Sequence, residues 1–547
     1  MRIVRGILAL LAVPVAVMGA QAPPVAWSAG SYSISGTVVS AGSGAPLNGA
    51  DVTLTTDGEN GTQVAEVVTG EDGGFHFDGL AAGKYSVQAA HRGYILGGYE
   101  DHEGYFTAIV TGPGLESRGI RLALMPYGAI DGVVTEDGGG PVPGAQVALF
   151  RQDESQGESR IVNAGQEITD DSGSYEFSQL RPGVYYVDVS ATPWYAFHSL
   201  PKNGDNWGDE ESAQAASPLD VAYPLTFYPN ATDSASATPI RLAAGDHAAI
   251  NFSLHAVPAI HLQIRVPIPS GQRRGVATPM IAQQVFGTQQ MEGTPISIFS
   301  QSDNSISFDY SSLAPGQYVV EEGGRGEVPV DLAANRIIDA PGGNAGVEVT
   351  GKLANLTGGA LPEGLMVWLH SVSGAPERTS SRVERDGTFA LHEVVPGTYT
   401  VQLGGDAGTP VVVQMAASGA EVRGNRVTVG SDAVLLAATI SSGSATVNGF
   451  ARRGGKGVGG TMVVLAPDDA NASVEMFRRD QSDSDGSFSL PNVVPGKYTL
   501  VAIDNGWGLE WAKREVMASY LAHGLKVVVP ANAKTMQLPD AVGVQDR

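Results

Sequence analysis

One pattern returns five times along this chain and leaves little freedom in what it can become. Its fullest form is an acidic turn with a glycine, an aromatic-x-apolar pair, a Leu or Val, and then Pro-Gly-x-Tyr. The copies run from Glu71 through Gly73, Phe75, Phe77, Leu80 and Gly83 to Tyr85, and from Asp170 through Gly173, Tyr175, Phe177, Leu180, Pro182 and Gly183 to Tyr185. The fourth links Asp386, Gly387, Phe389, Leu391, Val394, Pro396, Gly397 and Tyr399, and the fifth Asp485, Gly486, Phe488, Leu490, Val493, Pro495, Gly496 and Tyr498. The third copy (Phe308, Tyr310, Leu313, Pro315, Gly316, Tyr318) is degraded, with Ile306 where the others have the turn glycine. Aromatic and apolar residues two apart share one face of a strand, and that face must be the buried one. Asp and Gly before them suit a tight turn. Pro-Gly fits the centre of a type II turn, where Gly would take positive φ. Each unit therefore reads as a hairpin with an aromatic inner face, its tyrosine ring turned inward and the hydroxyl bonded to backbone near the rim.

Upstream of four hairpins lies a second shared element: a short strand, a Gly/Pro loop and another strand. It reads Ile34-Ser35-Gly36-Thr37-Val38 with Pro46–Ala50 and Val52–Leu54 in the first copy, and Ile130–Val134 with Pro143–Ala145 and Val147–Leu149 in the second. Val349–Leu353 and Val447–Ala451 open the fourth and fifth. The order I-x-G-x-V, P-x-x-G-A-x-V, D-x-x-G-x-Y/F-x-F/L, L-x-P-G-x-Y resembles the carboxypeptidase regulatory-like domain. The resemblance covers copies one, two, four and five well and copy three poorly. It implies an all-β chain: a tandem array of about five small Greek-key β-sandwich modules of the transthyretin (prealbumin) type, often grouped with carbohydrate-binding-like folds, in an exported bacterial protein. The motif is specific for fold and weak for function, because it consists of core and turn residues.

The uneven tyrosine spacing favours separate sandwiches over a solenoid with a strict short period. The expected division is a signal peptide over 1–22, then sandwiches over 31–125, 127–257, 258–344 (degenerate), 346–441 and 444–540. Two inserts depart from the minimal module. Residues 190–229 in the second carry Trp194, Tyr195, Phe197, Trp207, Tyr223, Phe227 and Tyr228. Residues 506–525 in the fifth have helical composition over Glu510–Leu521, with Gly524 as a stop. Leu509, Trp511, Val516 and Leu521 would lay that helix over an open sheet end.

Bulk composition narrows the functional classes. The 547 residues carry a formal net charge of −24, which disfavours nucleic acid and anionic membrane surfaces as partners. There is no cysteine, so disulfides, thiol catalysis and cysteine-ligated zinc are excluded. Arg2 and Arg5, an apolar run from Ile7 to Val17, and small residues Gly19, Ala20 and Ala22 form an export-signal pattern, with cleavage after Ala20 preferred because Pro23 follows Ala22. No later stretch reaches the ~18 apolar residues that a membrane-spanning helix requires.

The common catalytic signatures are missing from the sequence. No His is followed by Glu three places on, so the zinc-carboxypeptidase pair is missing, as is His-Glu-x-x-His. Gly-x-Ser-x-Gly and the phosphate-binding Gly/Lys loop are missing too. Gly455–Gly460 fits G-x-G-x-x-G but links two strands, not a strand to a helix. Asp483–Gly486 (Asp-x-Asp-Gly) resembles calcium-loop chemistry. Counting from Asp480, however, Pro491 falls where the twelfth-position Glu should be, which favours a turn. No metal, cofactor or catalytic residue is expected. The remaining candidates are aromatics able to stack on flat sugar faces: Trp194, Tyr195 and Trp207 first, Trp507 and Trp511 second. The expectation is a non-catalytic envelope or extracellular scaffold, an extended rod of linked modules. A carbohydrate-binding protein and an accessory to a secreted hydrolase are the alternatives, with a polysaccharide or an envelope protein as partner.

Overall fold

The computed structural model describes residues 30–56, 62–198, 217–268, 278–291, 295, 297–300, 305–321, 327–339, 346–372, 379–405, 409–443 and 445–547. Strands dominate it, and they fall into five successive sets between Tyr32 and Asp546. In module 1, Gly74–Leu80, Tyr32–Ser40 and Ile120–Leu124 make one sheet. Gln63–Val68, Asp51–Thr56, Gly83–Ala90 and Gly97–Gly98 make the other, with Ile109–Thr111 also pairing with Gly83–Ala90. The opening strand of every module pairs antiparallel with the first hairpin strand and parallel with a closing strand: Tyr32–Ser40 with Ile120–Leu124, Gly128–Glu136 with Phe252–Leu254, Ile260–Pro267 with Arg336–Asp339, Val347–Asn355 with Val434–Ser441, and Ala445–Arg453 with Val542–Asp546. Five separate apolar clusters result, one per module: in modules 1 to 4 it lies between two sheets, and in module 5 inside one nine-stranded sheet closed by Val542–Asp546, which pairs with both Ala445–Arg453 and Gly496–Asp504. Module 3 keeps this topology although its motif is degraded.

The recurring residues explain why the sandwiches form. The turn glycines Gly73, Gly173, Gly387 and Gly486 all have positive φ, and a Cβ on any of them would lie 2.2–2.5 Å from a carbonyl oxygen of the opening strand. That strand in turn donates an N–H to the glycine's own carbonyl, as from Val38 to Gly73 at 2.8 Å. The glycine thus locks hairpin to opening strand at a separation no side chain permits. The second motif glycine lies opposite the hairpin aromatic: Gly36 faces Phe75, Gly132 Tyr175, Gly351 Phe389 and Gly449 Phe488. The ring covers the space a Cβ would take. Module 3 replaces this pair with Ile264 opposite Phe308.

All five motif tyrosines make the same bond. The hydroxyls of Tyr85, Tyr185, Tyr318, Tyr399 and Tyr498 donate to the carbonyl four residues upstream, at 3.2, 2.7, 2.7, 2.8 and 2.7 Å. Burial pushes the Tyr498 hydroxyl up to about 12, so it stays protonated and a donor. The type II turn expected at Pro-Gly does not form. Gly83, Gly183, Gly316, Gly397 and Gly496 lack positive φ, and each is the first residue of the returning strand. Positive φ falls instead on Gly79, Gln179, Ser312, Glu393 and Asn492, one residue before the conserved-pattern Leu or Val. The turn is displaced because each of these glycines is already paired in the sheet, Gly83 with Thr111, Gly183 with Leu242, Gly316 with Leu332, Gly397 with Val429 and Gly496 with Val529, which requires extended backbone; the tyrosine ring two residues on folds back over it.

Candidate functional site

The expected site residues separate into two places. In the module 2 insert, Trp194 is 82% exposed and Phe197 61% exposed. Tyr195 is half-buried, its ring edge-on to Trp194 at 5.7 Å. Trp207 lies outside the described residues. Other aromatics of the insert face inward. Tyr223 and Phe227 are buried, and Phe227 joins Phe150 and Tyr186 in a cup that receives Phe286 of module 3, with ring centroids 5.0–5.7 Å apart. Beside that joint one carboxylate serves two histidines: Asp220 Oδ1 is 2.8 Å from His198 Nδ1, and Oδ2 is 2.7 Å from His261 Nε2. His261 sits at the start of module 3, so this cluster fastens modules 2 and 3.

Trp507 and Trp511 are not exposed platforms, as the sequence suggested; they are 7% and 8% exposed. The helix is shorter than expected, Arg514–Leu521 after a 3-10 turn at Gly506–Gly508, and its anchor is Met517. Val516 is only half-buried, while Leu509, Trp511 and Leu521 do pack on the outer face of the sheet formed by Met462–Pro467 and Gly496–Asp504. That sheet has apolar side chains on both faces, which one sandwich core cannot cover. The insert covers the second face, and other modules complete the cover. Tyr105 of module 1 packs against the same cluster. Ala512 donates its N–H to Gly157 of module 2 at 3.0 Å, and Glu510 accepts from the Ser159 N–H at 2.7 Å.

The chain therefore does not run out as a rod: module 5 returns to module 1. At the centre of their contact lies Arg479, whose side chain is 2% exposed. Its guanidinium carbon sits 4.6, 5.2 and 5.0 Å from the ring centres of Tyr105, Trp507 and Trp511. Nε and Nη1 have no hydrogen-bond acceptor among the described residues, so the cation is held by aromatic faces and by Glu103 at 3.9 Å. His102 stacks on Trp507 with centroids 4.8 Å apart and planes 7° apart. Burial raises the Glu103 carboxyl above its ordinary value, and Arg479 partly offsets this. Around this centre runs a polar rim. Gln481 donates to Glu100 O and Thr107 Oγ1, both at 2.7 Å. Ser484 donates its N–H to Ala108 O at 2.9 Å and accepts from Val110 N at 2.8 Å. Asp483 accepts from the Ala108 N–H at 3.2 Å and pairs with Lys84. The Asp-x-Asp-Gly segment is a turn, and its first carboxylate grips module 1. Nearby, burial lifts the Asp480 carboxyl to about 6 despite the N–H bonds of Ser489 and Gln481.

Two sets of residues escaped the sequence reading. Thr69, Thr169 and Ser482 stand four residues before the turn glycine, and each buried hydroxyl ties down the upstream Gly/Pro loop. Thr169, for example, donates to Val142 O at 2.6 Å and accepts from Ala145 N at 2.9 Å. Their fixed offset from the glycine was visible in the sequence. The loop Tyr99–Thr107 carried no such signal, because it belongs to one module alone.

The geometry defines a class, a tandem β-sandwich array with its ends docked together. Residues 33–102 and 129–199 each match the family model of the carboxypeptidase regulatory-like domain, and residues 443–523 match that of the second β-sandwich domain of the BOS complex subunit NOMO1-like proteins. Modules 1 and 2 are thus similar to carboxypeptidase regulatory-like domains, and module 5 to the second of these β-sandwich models. No curated protein matches the chain. Among solved structures it is similar to the Bacillus anthracis TIE protein (13% identity, 72% of this chain and 68% of that one, TM-score 0.16). It is also similar to a streptococcal ancillary pilin (10%, 56% and 98%, 0.19) and to the minor pilin of Streptococcus agalactiae (15%, 45% and 100%, 0.21). Among the described residues no helix is long and apolar enough to cross a membrane.

Proposed function

We propose that this chain is a non-catalytic, exported scaffold that acts at the envelope or outside the cell. What supports this reading is that the repeated residues are spent on architecture. Their rings lie in five separate cores, and their tyrosine hydroxyls all cap the same backbone carbonyl. Function then rests with what distinguishes one module from another, the inserts and the docking loops. The reading is tested on the mature chain with panels of glycosides and of peptides bearing free C-termini. The expected result is no turnover above buffer; enzyme-dependent turnover that scales with protein concentration overturns it.

A second reading, carbohydrate binding, is favoured by one observation: Trp194 presents nearly its whole indole to solvent, with Tyr195 edge-on and Phe197 nearby. A large apolar ring left in water suits stacking against a sugar face. Retention on insoluble polysaccharides measures it. Trp194→Ala is expected to weaken retention roughly tenfold or more, as loss of a central aromatic anchor does. Equal retention of the variant and the parent removes this reading.

A further inference from the structure

We infer that the contact between modules 1 and 5 is a reversible clasp, keyed by Arg479, that opens without unfolding either sandwich.

Four observations carry this. First, each sandwich is complete without the contact. The two sandwich cores are separate clusters, and Tyr105 and His102 are module 1 side chains that reach the outer cluster of module 5. Second, the contact is built like an interface between proteins and not like a core: an Arg among Trp and Tyr rings at the centre, ringed by hydrogen bonds and the Lys84–Asp483 ion pair. Third, the module 1 loop that enters it is held in a costly conformation. Glu100, Glu103 and Gly104 all have positive φ, and in the two glutamates that is unfavourable unless neighbours enforce it. Module 1 closes the Glu103–Gly104 turn itself, with His102 and Tyr105 exchanging N–H to C=O bonds at 2.9 and 3.0 Å, while docking braces Glu100 through Gln481 on its carbonyl and sets Arg479 opposite Glu103. Fourth, the chain carries a net charge of −24, so bringing its ends together opposes general repulsion. Lys84 and Arg479 supply a local cation on each side of the joint.

When the clasp opens, Tyr105, Trp507 and the Arg479 guanidinium face solvent, and once the adjoining bonds to module 2 (Ala512 N–H to Gly157 O and Ser159 N–H to Glu510) part as well, the arrangement lengthens from a closed to an extended one. Closed and open forms of one chain would present different surfaces while every sandwich stays folded.

Hydrogen exchange on the full mature chain tests this. The N–H groups of Ala108, Val110 and Ser484 bond across the joint, whereas those of Val38 and Ala451 bond within one sandwich. The cross-joint amides are expected to exchange at least about tenfold faster than the internal ones, because they need only a local opening. Arg479→Met should speed them about tenfold further and enlarge the radius of gyration in solution scattering, since a desolvated cation–π contact is worth that order. The internal amides should not change. Should Arg479→Met also accelerate Ala451, module 5 itself has been loosened. The double variant Lys84→Ala/Tyr105→Ala, which leaves module 5 untouched, then decides: a selective rise at the cross-joint amides upholds the clasp, and no rise overturns it. Cross-joint amides that exchange in step with Val38 and Ala451 in the parent chain overturn it directly.

Discussion

Gly132→Ala is expected to prevent module 2 from folding while its neighbours stay folded. A Cβ at this position would lie 1.8 Å from the carbonyl oxygen of Ile250 and 3.1 Å from Cε1 of Tyr175. Neither neighbour can yield cheaply. The Ile250 carbonyl is backbone, and it also accepts the Tyr175 hydroxyl at 2.6 Å. Moving it away breaks that buried bond and separates the opening strand from the chain that closes the sheet. Overpacking of this kind costs about 1–3 kcal/mol or more, and a buried bond left unmade about 1–3 kcal/mol. The sum approaches the lower end of the ~5–15 kcal/mol that holds a typical domain folded. Hydrogen exchange resolved by peptide is the suitable measurement, because a chain of several modules does not unfold in one step. Protection should vanish over Gly128–Glu136 and Ser174–Leu180 and persist over Val347–Asn355. Gly543→Ala is the control, since a Cβ there meets nothing within 4 Å. Native protection over module 2 in Gly132→Ala would refute the account of this glycine.

Thr169→Val is expected to destabilise module 2 by about 3 kcal/mol, because it keeps the shape and removes the hydroxyl. Two buried backbone groups, Val142 C=O and Ala145 N–H, then lose their partner together. Serine restores both bonds, so Thr169→Ser should recover most of the loss. Module 4 has Val383 at the equivalent place, and its N–H donates to Leu365 O at 2.9 Å just as the Thr169 N–H donates to Ala145 O at 3.0 Å, so this backbone bond is common to both modules and survives the substitution. Opening free energies from exchange within Gln146–Asp153 measure the difference. A Val variant as stable as the Ser variant would show that the hydroxyl is dispensable.

How much of this was legible follows the range of each interaction. The aromatic-x-apolar pairs, the acidic glycine turns and the inward tyrosines are local, two to four residues apart, and their chemistry admits one arrangement. Gly73 and its equivalents adopt the positive φ that an Asp-Gly sequence suggests. The Pro-Gly turn was misread because what decides it is not local: the glycine is paired in the sheet with a distant strand, as Gly83 is with Thr111 and Gly496 with Val529, and a local turn preference does not register that. Trp507 and Trp511 were misread for a different reason. Their composition fits a sugar platform as well as a packing surface, and what buries them comes from Tyr105 and Gly157, some four hundred residues away in sequence. The unbroken apolar runs Met462–Ala466 and Leu500–Ile503 do announce a sheet with two apolar faces, but nothing in the fifth module's own pattern says which distant module covers the outer one.

By itself the sequence determined an all-β array of sandwiches, because strand periodicity, turn glycines and corner tyrosines are short-range and repeat with the same geometry wherever they occur. The meeting of the array's ends, the enclosure of Arg479 by rings from two modules, and the exposure of Trp194 but not Trp507 were set by packing between modules. Those outcomes depend on which complete surfaces fit one another, and surface complementarity between distant modules leaves no periodic trace in a single chain.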